Sequence, residues 1–340
     1  MPCLVRPVGS APSLGDPLVD EYLRFTAARV RANTLTAQAF DLKVFFTVVP
    51  KTPQQVTVTD VLFFIEAQRA PRRGGNVIRL ADGEAGLAAS TIKRRLATVS
   101  SLFDYLFLRG ICDRNPVPRS LGARHARPDG RGHGGRRGAP LVRAPRKLPR
   151  VLAPAEVSAL TGALRTERDR AMVALMVHGG LRRCEVLGLR FEHVQVGDRR
   201  VFVADGKGGH QRLVPVADVF FTTLAAYLSS ERPTEAIDDH VFVVLKGPNR
   251  GRPLTAAGLD EVMAGARGRA GLTHASCHEL RHTCFTRLRE AGMALEAIQA
   301  QAGHASIETT RVYLHLSNDW LAGEYQRAMA ILDGLHEEEP

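Results

Sequence analysis

Residues 114–150 cannot fold by themselves, and that divides the chain. The stretch holds eleven Arg and Lys against one acid, Asp129, and is rich in Gly and Pro. It has almost no large apolar side chains to offset the entropy of ordering a backbone. Folded structure must therefore lie on either side of it. The 340 residues leave room for a domain on each side. The expected organisation is a tail (1–16), a domain over 17–113, the basic linker, a larger domain over 151–335, and an acidic tail (336–340).

The first domain reads as helical. Apolar residues recur at helical spacing from Leu18 to Phe25, from Thr34 to Val49, and along a long helix that Ser90 is expected to cap. Thr59-Asp60 is the expected cap of a third helix, and 69–86 reads as a loop. The second domain is helical with one change of period. His193–Val196, Arg200–Ala204 and Gln211–Val216 read as short strands, and residues 319–335 as a closing amphipathic helix. The fold class is therefore mainly α with a small antiparallel β-sheet.

Charge points to the partner. The net charge is +11, and the linker carries nearly all of it. A polyanion is implied, nucleic acid ahead of an anionic membrane surface. Only six of the 46 basic residues are Lys. Arg suits forked phosphate contacts, though a GC-rich genome gives the same bias. Arg94, Arg95, Arg136, Arg137, Arg143, Arg146 and Lys147 are the candidate DNA contacts. The five cysteines are odd in number and form no C-x-x-C, which suits reduced thiols in a cytoplasmic protein. No secretory leader or membrane span is expected.

Chemistry concentrates between His278 and Tyr313. His278-Glu279-Leu280-Arg281-His282 puts histidines and an arginine on neighbouring helical turns, followed by Gly303-His304 and then Tyr313. A hydroxyl nucleophile beside cations suits chemistry on a phosphate. The same residues spell H-E-x-x-H, the zinc hydrolase signature. That alternative leaves Arg182, Lys207, Tyr313 and the basic linker without a role.

Four boxes in order resemble the tyrosine recombinase (phage integrase) family: Gly180-Leu181-Arg182-Arg183-Cys184-Glu185, then Gly206-Lys207-Gly208-Gly209-His210-Gln211-Arg212-Leu213-Val214-Pro215, then His278-Glu279-Leu280-Arg281-His282-Thr283, and Gly303-His304 with Tyr313. The resemblance is strong over about 150–325 and looser over 17–113, where it implies a core-binding, DNA-binding domain ahead of a catalytic one. It implies Tyr313 as the nucleophile that forms a 3′-phosphotyrosyl ester, and Arg182 and Arg281 on the phosphate. Lys207 would be the general acid, His278 would assist proton transfer and His304 would donate to the phosphate. Glu185 and His282 would support these groups. Neither cofactor nor metal is implied. The implied partners are duplex DNA, a homotetramer on synapsed DNA docked through the C-terminal segment, and possible accessory factors. The compact layout suggests the integrase or transposase-like enzyme of a mobile element, ahead of a chromosomal resolvase. A non-catalytic DNA-binding regulator on the same helices is the other alternative.

Overall fold

The computed structural model describes residues 2–5, 11–70, 86–118, 141–143, 149–206, 209–236, 238–304, 307–310 and 329. It divides into two compact units, Met1–Arg146 and Lys147–Pro340.

The first unit is built from α1 (Pro17–Ala27), α2 (Ala32–Val48), α3 (Val58–Arg69) and α4 (Ala89–Leu108). Asp16 starts α1, its Oδ1 accepting from the Leu18 and Val19 amides. The cap of α3 is Thr57, two residues before the expected one. Asp60 stands at the third helical position, where it closes a capping box with Thr57. The expected Ser90 cap of α4 is likewise corrected: the helix begins at Ala89, behind Ala88, without a side-chain cap. Phe45, Phe64 and Phe103 are fully buried between the helices, Phe45 meeting Phe64 edge-on with ring centres 4.9 Å apart. Val117 and Val142 also lie in this core, so packing in this unit continues beyond residue 113.

The second unit is organised on α6 (Glu167–His178). Every residue from Ala171 to Val177 is buried, as expected of a helix apolar on all sides. It packs against α8 (Asp218–Ser230) and α10 (Cys277–Glu290). In sequence α5 (Pro154–Gly162) precedes α6, α7 (Arg183–Leu187) and α9 (Ala256–Arg269) fall between these three helices, and α11 (Leu295–Ala302) and α12 (Ile307–Thr310) follow α10. The sheet is β1 (Val194–Gln195), β2 (Arg200–Val203) and β3 (Arg212–Pro215), antiparallel in that order. Val201, Val203 and Val214 face the core, alternating with more exposed neighbours. Helices with one small antiparallel sheet are the expected class. The closing helix expected over 319–335 lies outside the described residues, Met329 excepted.

Candidate active site

Each box is positioned by a local device. Ser276 caps α10: its hydroxyl accepts from the Glu279 amide at 3.3 Å, while Glu279 Oε2 accepts from the Ser276 amide at 2.7 Å. That fixes the first turn, from which His278 faces His282, four residues on, along one side of the helix. Thr283 secures the helix from below. Its hydroxyl donates to the Glu279 carbonyl at 2.8 Å and accepts from the Leu152 amide at 2.9 Å.

Arg281 is 3 % exposed. It donates to the carbonyls of Gly180 and Ala302, the latter at 2.6 Å, and lies over the Phe285 ring at 4.8 Å. Gly180 has φ +67°, and a Cβ there would stand 2.4 Å from that ring, so this place in the first arginine box admits only glycine. Arg281 also reaches His304 Nε2 at 3.3 Å. A guanidinium can only donate, so Nε2 accepts and the imidazole proton sits on Nδ1, 2.9 Å from Thr310 Oγ1.

Glu185 is the electrostatic centre. Its side chain is fully buried, and it accepts from the Arg182 amide and guanidinium, both at 2.8 Å. Arg212 grips both carboxylate oxygens at 3.1 and 2.9 Å, and Arg281 stands 3.9 Å away. Burial opposes ionisation, but the bonds from Arg212 and Arg182 outweigh it and hold the carboxyl at about 2. Three guanidiniums around one carboxylate leave a local surplus of positive charge, suited to a phosphate.

The histidines are neutral at pH 7. Burial first, then the charges of Arg281 and Arg182, pushes His304 down to about 4. Burial, then the charges of His278 and Arg281, does the same to His282, also to about 4. His278 is lowered by burial and by Arg281 and Arg182. The Nε2 atoms of His278 and His282 are 2.9 Å apart, which requires one to be an unprotonated acceptor.

The structure thus gathers two hydrogen-bonded pairs, Arg182 with Glu185 and Arg281 with His304, joined by the 3.9 Å ion pair of Arg281 and Glu185, with His278 and His282 on the same helix as Arg281. Lys207 and Tyr313 lie outside the described residues, as do Arg136, Arg137, Arg146 and Lys147. Arg143 is exposed. Arg94 is half exposed and paired with Asp41. Arg95, expected to contact DNA, is corrected: it is 7 % exposed and points into the first unit. There it donates to Gln68 Oε1 at 2.9 Å and stands 3.6 Å from the buried Asp41 carboxylate. Arg212 was missed. The available signal was an arginine in strand alternation with the core residue Val214, a place that excludes a charge unless a partner awaits it.

The phage integrase family model matches residues 150–319. Tyrosine recombinase XerC of Serratia marcescens is 28% identical over 94% of this chain and 96% of its own length. XerC of Yersinia pestis is 30% identical over 72% of this chain and 74% of its own. Among solved structures, the Tn1549 transposon integrase in complex with a circular intermediate DNA aligns with a TM-score of 0.65 at 17% identity. That alignment covers 91% of this chain and 98% of that one. The chain belongs to the phage integrase family, the tyrosine-type site-specific recombinases, enzymes that cleave and rejoin DNA through a covalent tyrosine intermediate. Membership of this family accounts for the chain without the zinc hydrolase reading. Glu279, which a zinc hydrolase would use as its base, is bound into the cap of α10. Among the described residues no group of three or more His, Cys, Asp or Glu could hold a metal. Nor, among them, is any helix long and apolar enough to cross a membrane.

Proposed function

We propose that the cluster around Glu185 is the phosphate site and that Tyr313 is the nucleophile brought to it. The tyrosine oxygen attacks phosphorus and gives up its proton through His278, which is neutral and able to take it. The P–O5′ bond breaks, and the leaving O5′ takes a proton from the Lys207 ammonium. The product is a 3′-phosphotyrosyl ester and a free 5′ hydroxyl. Because the ester preserves the bond energy, the reverse attack rejoins strands with no energy input.

The observation that carries this reading is the joining of Arg182, Glu185, Arg281 and His304, residues up to 122 positions apart in sequence, in one partly buried network. Arg182 uses one guanidinium nitrogen on Glu185, leaving others to fork onto non-bridging oxygens as charge builds there. His304 donates to the phosphate once its proton moves to Nε2. The Thr310 hydroxyl permits that shift because it can donate to Nδ1 as readily as accept from it. His282 supports His278 through their paired nitrogens, and Glu185 holds Arg182.

In this reading 17–113 and 151–335 are the core-binding and catalytic domains, and 114–150 is a basic strap along the phosphate backbone. Arg94, Arg136, Arg137, Arg143, Arg146 and Lys147 supply duplex contacts. The enzyme works in the cytoplasm as a tetramer on two synapsed duplexes, docked through its C-terminal segment and assisted where needed by accessory factors. It integrates, excises or transposes a mobile element.

Covalent trapping tests the chemistry. The protein is incubated with duplex DNA from its genomic neighbourhood, nicked so that cleavage releases a short fragment, with EDTA present. An SDS-resistant adduct that survives EDTA and disappears in Tyr313→Phe supports the reading. An adduct that persists in Tyr313→Phe moves the nucleophile elsewhere. Tight, salt-sensitive binding with no adduct on any fragment assigns a regulator.

A further inference from the structure

We infer that Arg212 is a positioning residue for the turn that carries Lys207, and that strand cleavage depends on its three-way grip on β3, α7 and α11. The inference rests on the assignment of Lys207 as the acid.

Arg212 pairs with Val203, the last residue of β2. It is therefore the final rung of the ladder before the chain leaves the sheet for the turn. A side chain at that rung normally has nothing to hold beyond its cross-strand neighbour. This one turns inward and is 9 % exposed. A guanidinium in that place is costly unless its N–H groups are met, and they are met by two other elements. Nε donates to the Gln301 carbonyl on α11 at 2.8 Å, while the two terminal nitrogens fork onto Glu185 of α7 at 3.1 and 2.9 Å. The fork fixes direction as well as distance, which a lysine ammonium cannot reproduce.

Gly303 completes the grip. It ends α11 in the left-handed conformation, and a Cβ there would approach the Arg212 side chain to 3.1–3.2 Å. The glycine beside His304 therefore also makes room for this guanidinium. One side chain thereby links three of the four boxes: the hairpin, the arginine box and the glycine–histidine turn. Four residues of chain separate it from Lys207. Proton donation demands hydrogen-bond reach, and misplacement by an ångström costs on the order of 100-fold in rate. The tether fixes the strand end from which the chain leaves towards Lys207.

The test uses a leaving group that needs no acid. With sulfur in place of the bridging 5′ oxygen, the P–S bond breaks to a thiolate that departs unprotonated. Single-turnover cleavage of oxygen and sulfur substrates is measured for the wild type, Arg212→Lys and Lys207→Ala. Both variants should lose about 100-fold or more on oxygen and recover most of it on sulfur. Rescue of Lys207→Ala with Arg212→Lys equally slow on both substrates overturns the inference and leaves the acid assignment standing. Failure to rescue Lys207→Ala overturns the acid assignment itself. The sulfur-to-oxygen ratio is taken within one preparation, so the folded fraction cancels. Should Arg212→Lys not fold, Glu185→Gln loosens the same guanidinium from the α7 side and must raise the ratio too. A ratio equal to the wild type's overturns the inference.

Discussion

Glu185→Gln removes the charge at the centre of the site and keeps its shape. The neutral amide stands in for the protonated acid, so the pKa of Glu185 sets the size of the effect. The carboxyl lies at about 2 when folded against an ordinary 4.5. At 1.36 kcal/mol per unit, the ionised form stabilises the fold by about 3 kcal/mol at neutral pH. A folded pKa below the unfolded value means stability fully present above about 4.5 and lost as pH falls towards 2. Urea unfolding followed by circular dichroism at pH 7 should show the variant about 3 kcal/mol less stable, and thermal unfolding should begin ~6–12 °C lower. At pH 3 less than roughly half of the difference should remain. A gap under about 0.5 kcal/mol at pH 7, or one unchanged from pH 7 to pH 3, would refute the electrostatic account of this site.

Arg94 and Arg95 should separate cleanly. Arg95→Ala takes the buried cation away from Asp41, which keeps Arg94 and the Thr98 hydroxyl, and removes the Arg95 bond to Gln68; it should cost about 1–3 kcal/mol in unfolding experiments on the intact chain. Arg94→Ala should leave stability within about 1 kcal/mol and shorten the salt slope of DNA binding by ~1. Gly180→Ala meets both a positive φ and the Phe285 ring, so it should destabilise by ~2–3 kcal/mol and slow cleavage, measured as adduct formation per active protein. His304 has its folded pKa, about 4, below the ordinary 6.5. Its stabilising effect is therefore complete above about 6.5 and declines as pH falls towards 4. Cleavage should show no inflection from His304 between pH 6 and 8, and one there that disappears in His304→Gln would contradict the neutral assignment. Arg136→Ala with Arg137→Ala should reduce the slope of log Kd against log salt by up to ~2, and an unchanged slope would remove those residues from the phosphate contacts.

Local signals in the sequence were decisive where the determining interaction is itself local. Among the described residues, the helices of both units stand close to where apolar spacing placed them. Among the described residues three strands appear at the change of period, trimmed by one residue at five of their six ends. The cap positions were less legible. Thr57 and Thr59 both precede an apolar run, and only Asp60 reaching back to the Thr57 amide selects the former. Glu279 looked like half of a metal motif because its partner Ser276 stands outside the five-residue pattern.

What the sequence determined alone was the helical character of both flanks of the basic stretch and the small antiparallel sheet in the second. These follow from composition, period and chemical type, which need no knowledge of distant neighbours. Only the tertiary structure decided which charges face inward. Arg94 and Arg95 are adjacent on one helix, yet the second is drawn under by Gln68, 27 residues away, and Asp41. Arg212 became a tether through Gln301, 89 residues on. The proton of His304 went to Nδ1 because Arg281 arrived at the other nitrogen. Burying a charge is favourable only when its partner is already in place, and that partner is supplied by folding.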